Sequence, residues 1–377
     1  MAEGLRVCAR CVSDTTIPNI RFDAAGECNF CQVHNTLERL YPLDERGQRQ
    51  LEVLLARVKA AGAGRTHDCV VGVSGGTDST YTLYLARRLG LRPLAVHLNN
   101  TWNTPIAEEN MRKAVAALGV DFREVHCHWP EFRALQVAFL RASVPEAEIP
   151  TDVAIHAVLH QVAAREGVRY VLNGHSFRTE GVAPIGWTYM DGRYIRSVHK
   201  CFAGAKLKSF PNMNLSDFLY YTFLKRIRSV PFLNYFDYSK DRARKILERE
   251  LGWTYYGGHH YESVYTHFVI AHLLYRKFGI DKRKISLSAH VRSGLMTRPE
   301  AIERLRTPPA LREGTLEACL QRLGLAREEF DAIMRAEPRS FRDYPTYYPM
   351  LKAARPLIKV ACKLNLVSPV LYGKFFS

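Results

Sequence analysis

Apolar and polar positions change rhythm along this chain, and the changes divide it. From residue 68, short apolar runs alternate with longer stretches of helical spacing. CVVGVS (69–74) reads as a buried strand and DSTYTLYLARRLG (78–90) as a helix ended by Gly90. RPLAVHL (92–98) is a second strand, IAEENMRKAVAALG (106–119) a helix ended by Gly119, and DFREVHC (121–127) a third strand. After a helical stretch near 131–142, DVAIHAVLHQVAAREG (152–167) reads as a further helix and VRYVLNG (168–174) as a fourth strand. Strands separated by helices predict an α/β fold, a parallel sheet with helices on both faces.

The flanks follow other patterns. Residues 1–36 are turn-rich and carry cysteines, while 37–62 have helical spacing interrupted by Pro42. Beyond Gly174 the alternation fades into an aromatic and basic stretch over 185–240. Helix-like DYSKDRARKILERELG (237–252), the loop WTYYGGHHYES (253–263) and another helix-like segment to Gly279 come next. Short helices over 299–335 are broken by Pro308 and Pro309. The expected division is a four-cysteine zinc-binding module (1–36), linking helices (37–66), the α/β core (67–183), a substrate-binding extension (184–298) and a helical C-terminal region (299–377).

No run approaches the roughly 18 apolar residues of a membrane span, and the first residues lack the apolar stretch of a secretory signal. The expected location is cytoplasmic. The last segment, 348–377, mixes basic and apolar residues, but Pro356 and Pro369 interrupt it. Packing on the domain is therefore expected there rather than peripheral membrane contact.

Charge narrows the partners. Fifty-three Lys and Arg against 37 Asp and Glu leave +16 on 377 residues, which favours nucleotides, nucleotide-linked sugars, RNA or an anionic membrane surface. Nine cysteines in a reducing compartment point to thiols or metal ligands rather than disulfides. Cys8 and Cys11, then Cys28 and Cys31, form two C-x2-C knuckles 16 residues apart, a spacing suited to one tetrahedral Zn²⁺. Four thiolates close the shell, so the reading is a structural site; an iron–sulfur cluster or bare thiols are the other uses of such a set. Cys69, Cys127, Cys201, Cys319 and Cys362 stand singly and read as small apolar residues.

Between the first strand and the first core helix lies Ser74-Gly75-Gly76-Thr77-Asp78-Ser79. Paired glycines let the backbone approach an anion, the helix start offers N–H groups and a positive dipole end, and Ser74 and Ser79 add hydroxyls. No Gly-Lys-Ser/Thr closes the loop, so no Walker lysine is present, and Asp78 stands where a carboxylate would hold Mg²⁺. SGGTDS resembles the SGGxDS signature of the PP-loop ATP pyrophosphatases, the family of GMP and NAD synthetases, asparagine synthetase and several tRNA-modifying enzymes. The resemblance implies ATP cleaved between its α and β phosphates, a substrate oxygen adenylated, and pyrophosphate held by the turn. By sheet topology, His97 and Asn99 at the end of the second strand would lie near adenine or ribose. Asn173, Gly174 and Glu180, after the fourth strand, would flank the ATP crevice.

Downstream, Tyr256, Gly257, Gly258, His259, His260 and Glu262 crowd one loop. Its glycines would allow close backbone approach, and its histidines and Glu262 would bind a hydroxylated ligand or steer a proton. Lys282 and Arg283 would hold phosphates or a sugar carboxylate. Taken together, CxRCV, the second knuckle, SGGTDS and WTYYGGHHYES…TH…KFGIDKR…S…SGLMTR resemble the N-acetyl sugar amidotransferases of bacterial surface-polysaccharide (LPS O-antigen) synthesis, over Arg10 to about Ala301. The resemblance implies an ATP-dependent enzyme that turns the acetamido group of an activated, often nucleotide-linked, sugar into an acetamidino group. Asp78, Ser74 and Ser79 would carry the catalysis, and a separate class I glutaminase would supply ammonia. The chain itself shows no glutaminase nucleophile in a strand–elbow context. His175 departs from the family pattern, where a small acidic or amide residue would follow Gly174.

Two rivals share parts of this evidence. A tRNA thiolation enzyme would use the same turn and the aromatic-basic stretch, but only one pair of knuckles is present. A non-enzymatic zinc module on nucleic acid would leave the phosphate turn idle, so no nucleic-acid partner is expected.

Overall fold

The computed structural model describes residues 4–204, 206–258 and 261–363. The chain opens with the cysteine knuckles and two helices, α1 (Asn29–Leu40) and α2 (Glu45–Ala61). It then alternates through β1 (Cys69–Gly72), α3 (Thr77–Arg88), β2 (Pro93–Asn99), α4 (Pro105–Leu118), β3 (Asp121–His126), α5 (Trp129–Arg141), α6 (Ile149–Arg165) and β4 (Tyr170–Asn173). Short helices α7 (Ile185–Thr188), α8 (Gly192–Phe202) and α9 (Leu215–Leu219) lead to β5 (Arg228–Pro231) and α10 (Lys240–Leu251). Beyond it the described residues add helices α11 (Val264–Phe268), α12 (Leu274–Phe278), α13 (Arg283–Arg292), α14 (Arg298–Arg306), α15 (Thr315–Leu323), α16 (Arg327–Arg335), α17 (Tyr348–Ala353) and α18 (Arg355–Lys363).

Five strands form one sheet in the order β3-β2-β1-β4-β5, every pairing parallel. The architecture is the expected one, with one strand more than the apolar pattern revealed. β5 pairs with β4 from Tyr170 opposite Arg228 to Asn173 opposite Pro231. It sits at the sheet edge, where a proline costs no ladder bond, and RSVP, with Arg228 and Ser229 exposed, carries no apolar run to announce it. The sheet thus continues beyond the expected core limit at 183, and α1 straddles the expected module limit at 36.

Burial follows strand position. β2 is an inner strand, buried at every residue but Asn99, whereas edge strand β3 mixes exposed and half-buried residues. Val70, Leu94, Val96 and Val171 pack on one face with Val158, Leu159 and Val162 of α6 and with Leu316, Leu320 and Phe330 from the C-terminal helices. Val71, Ala95 and Leu172 pack on the other with Val58, Leu83, Ala86 and Met111 from α2, α3 and α4. The predicted helix at 106–119 forms as α4, with Thr104 accepting from the Ala107 N–H at 3.3 Å and Pro105 in the first turn. The stretch expected as one helix to Gly279 runs as α11 and α12 joined by a π-helical turn, Val269–Leu273. No helix among the described residues is long and apolar enough to cross a membrane.

Candidate active site

All five strands point their carboxyl ends the same way, and the turn after β1 lies at that edge of the sheet. Gly75 has φ +76°, and any Cβ there would collide with the Ala107 carbonyl of α4. Gly76 caps α3, and Trp253 Nε1 donates to Gly75 O at 3.0 Å. Ser74 and Ser79 close the turn from inside. Their hydroxyls are 3.1 Å apart, Ser79 Oγ accepts from the Ser74 N–H at 3.1 Å, and it reaches Gly76 O at 3.2 Å. Thr77 N–H, at the head of α3, donates to Tyr256 OH at 3.3 Å, so that phenol sits where an anionic oxygen would bind. Glu262 also reaches the turn, its carboxylate 3.3 Å from the Cβ position of Gly76. The Glu262 segment is tied there by Thr104 N–H to Glu262 O and Val264 N–H to Trp102 O, both 2.9 Å.

Asp78 is the centre of a charged cluster. Lys240 Nζ, from the start of α10, lies 2.7 Å from Asp78 Oδ2 and 3.5 Å from Glu180 Oε1. Tyr238 OH donates to Asp78 Oδ1, and His175 Nδ1 lies 2.7 Å from Glu180 Oε2. The Asp78 and Lys240 side chains keep 21% and 26% exposure, so the cluster is open to a ligand. Burial raises the Asp78 pKa, the Lys240 charge offsets part of that rise, and Glu180 adds to it. Lys240 moves upward as well: burial alone would lower it, but Asp78 and Glu180 outweigh burial. Burial and Asp78 both push the Tyr238 phenol up, keeping it a donor. Two carboxylates converging on one cationic position form a donor set that fits Mg²⁺ shared with phosphates, Lys240 now holding the cation's place. Neither Lys240 nor Tyr238 was singled out by sequence, since both sit in an ordinary basic helix start.

The remaining expected residues divide. Gly174 packs against α3 so closely that a Cβ would lie 2.8 Å from Asp78 O, so this glycine lets the β4 loop meet the turn. Asn173 instead ties β4 to β5, donating to Ser229 Oγ at 3.1 Å and accepting from the His175 N–H at 3.2 Å. His97, expected near adenine or ribose, lies beneath the turn. It is buried, Nδ1 donates to Val73 O at 2.8 Å, and Nε2 faces Asn103 Nδ2 at 3.1 Å. Burial lowers its pKa, and the neutral ring supports the turn from beneath. Asn99 likewise turns to the neighbouring strand, bonding Glu124 Oε1 at 2.8 Å and the Thr101 N–H at 2.9 Å. Gly258 lies against the ring of Tyr261, and Gly257 faces Arg312. Arg283 is committed to Asp281 at 2.6 Å and to Arg304 O at 3.2 Å, which removes it as a free phosphate clamp. Lys282 caps α13, and its side chain makes no hydrogen bond or ion pair among the described residues. His259 and His260 lie outside the described residues.

Cys8, Cys11, Cys28 and Cys31 are fully buried and converge, with sulfur separations of 3.6–3.8 Å between hydrogen-bonding pairs. A tetrahedron with metal–sulfur bonds of about 2.3 Å has edges of about 3.8 Å, so the group is compatible with zinc. The buried Arg292 of α13 donates to Cys11 Sγ at 3.0 Å and Cys31 Sγ at 3.3 Å. Burial alone would lower its pKa; the neighbouring sulfurs more than reverse this. A guanidinium here offsets part of the negative charge of a tetrathiolate site. Arg298 adds bonds to the Cys8 and Cys11 carbonyls at 3.0 and 3.1 Å, and Lys284 reaches Asp14 at 2.5 Å.

Residues 262–356 match the family model described as LPS biosynthesis protein WbpG-like, C-terminal domain. No curated protein matches the chain. Among solved structures, a protein described as a predicted subunit of tRNA methyltransferase from Methanocaldococcus jannaschii is 13% identical, with 57% of this chain and 90% of that one covered and a TM-score of 0.29. NMN synthetase from Francisella tularensis is 15% identical, with the same coverages and TM-score. Neither likeness bears on substrate.

Gly75→Ala combines a positive φ with a backbone collision and is expected to lower the thermal unfolding midpoint by about 3 °C or more, read by calorimetry. Cys28→Ser is expected to lose stoichiometric zinc by elemental analysis and to unfold at lower temperature; a stable, metal-free variant would remove the structural-metal reading. Arg292→Met keeps all four thiols and is expected to speed zinc loss to a chelator by about tenfold or more.

Proposed function

We propose that this chain is the ATP-dependent synthetase of a sugar amidotransferase acting in LPS or other surface-glycan synthesis. The observation that carries the reading is the glycine-serine turn after β1, with Asp78, Lys240 and Glu180 gathered at its mouth. The C-terminal match to an LPS biosynthesis domain supports the pathway class, and the resemblance carried by SGGTDS and WTYYGGHHYES supports the reaction.

An amide carbonyl is a poor electrophile, because nitrogen donates into it and no good leaving group is present. In the proposed reaction the acetamido oxygen attacks the α-phosphorus of ATP, the α–β bridge breaks, and pyrophosphate departs. Ammonia adds to the resulting O-adenylated imidate carbon, AMP leaves with the bonding pair, and an acetamidine remains. No protein nucleophile is required.

Each part of the site has a task in this sequence. The N–H groups at the head of α3 and its dipole take the departing pyrophosphate, with Tyr256 OH giving way to a phosphate oxygen. Lys240 brings a positive charge to the same mouth. Asp78 and Glu180 would hold Mg²⁺, which neutralises phosphate charge when bound. With Nδ1 held by Glu180, His175 keeps Nε2 to accept a proton as ammonia is consumed. Ammonia from a separate glutaminase completes the enzyme, and Cys8, Cys11, Cys28 and Cys31 hold a structural zinc.

Purified protein with ATP, Mg²⁺, ammonium and a panel of nucleotide-linked N-acetyl sugars should yield AMP together with a sugar lighter by about 1 Da, the exchange of O for NH, in mass spectra. AMP formation stimulated by tRNA, with no sugar shift, would move the enzyme to RNA modification. Asp78→Ala and Lys240→Met are each expected to cut pyrophosphate release by about a hundredfold or more with the fold intact by circular dichroism. Near-normal release in either variant would remove that residue from the proposed roles.

A further inference from the structure

Far from the phosphate turn, Arg196 of α8 joins two arms that expose apolar side chains. One guanidinium nitrogen bonds Asn214 Oδ1 at the cap of α9, and the other lies 3.5 Å from Tyr347 OH at the cap of α17. Arg193 lies over the same tyrosine ring, 5.9 Å from its centroid. Arg193, Arg196 and Lys200 line an open pocket of about 450 Å³ with Ser197, Pro345 and Tyr347. Among the described residues, none of these three cations pairs with a carboxylate.

Both arms are amphipathic and expose apolar side chains among the described residues. α18 buries none of its side chains. Arg355, Lys359 and Lys363 recur every four residues along one face, and Leu357 and Val360 lie on the opposite side. Leu357 is 74% exposed, far more than a leucine packed on a domain would be. The α9 arm and the π-helical turn after it expose Phe218, Tyr220, Phe223 and Leu224, the last by 71%, and end in Lys225 and Arg226. Between Tyr344 and Lys363 the chain has Lys352, Arg355, Lys359 and Lys363 and no Asp or Glu.

We propose that α8, the α9 arm and the α17–α18 arm form a docking surface for an anionic lipid bilayer. The cations of α8 and of one face of α18 meet lipid phosphates, while Leu357, Val360, Phe223 and Leu224 enter the boundary between headgroups and acyl chains. Charge selects this occupant. An apolar patch meant for a neutral protein surface does not need a carboxylate-free run of cations, whereas an interfacial helix carries its Lys and Arg on a face beside its apolar one. The attachment is peripheral and differs from the expectation that the C-terminal segment packs on the domain.

Co-sedimentation of the full chain with vesicles tests this. Binding is expected to vesicles of phosphatidylcholine with a third phosphatidylglycerol, to weaken steeply as salt is raised, and to be absent with phosphatidylcholine alone. Each cation removed near the surface is worth about fivefold, so Lys359→Glu should weaken binding by more than tenfold. Leu357→Glu should weaken it by about tenfold or more, with the unfolding midpoint unchanged. Equal binding to both vesicle types, or unaltered binding by Leu357→Glu and Lys359→Glu, would overturn the proposal. So would a change of oligomeric state in Leu357→Glu by light scattering without loss of vesicle binding, because the face would then lie between copies of this chain.

Discussion

One ammonium group holds the site together. Lys240 lies between Asp78, on the first turn of α3, and Glu180, on the loop after β4, and it arrives from α10, more than 150 residues after the turn it serves. Without a cation at that point two carboxylates would face each other in a half-buried cleft, and the cost of that repulsion would fall on the loop that carries Glu180. Gly174 makes the arrangement possible by letting β4's loop lie directly on α3. The Walker lysine absent from the turn is thus balanced by one that folding delivers from elsewhere.

A second cation organises the cysteine cluster. Arg292 enters the cysteine cluster from α13, and the same helix packs Ile285 and Ala289 against Gly181, next to Glu180. Ser293 also bonds the Arg178 carbonyl at 3.1 Å, and the Arg178 guanidinium reaches Asn234 O and Tyr41 O. The knuckles, the β4 loop and the linker between α1 and α2 are therefore packed on shared residues. This accounts for a cysteine module being built into an enzyme-like core rather than tethered to it.

Features whose cause is local were legible in the sequence. β1, the SGGTDS turn and α3 follow from an apolar run, two glycines and a helix start within twenty residues, and the four cysteines declare themselves by spacing. Features made by distant contacts were not. Lys240 and Tyr238 acquire meaning only when α10 crosses the mouth of the turn, and β5 becomes a strand only because β4 offers it an edge. His97 and Asn99 lie at the expected strand end, but strand position does not reveal that burial and the Val73 carbonyl claim the imidazole or that Asn99 bonds Glu124. Arg283 looked available until Asp281, two residues before it, folded back as its partner.

The segment that matches the LPS biosynthesis domain begins at Glu262, the residue whose carboxylate reaches Gly76. Its first residues join the core through a short backbone ribbon, Trp102–Thr104 against Glu262–Val264. Everything that builds the phosphate turn except Glu262 lies upstream of it, yet Phe268, Leu316, Leu320 and Phe330 from beyond it pack in the same core as the strands. A change near residue 262 would therefore be felt both at the turn and in the packing of the sheet.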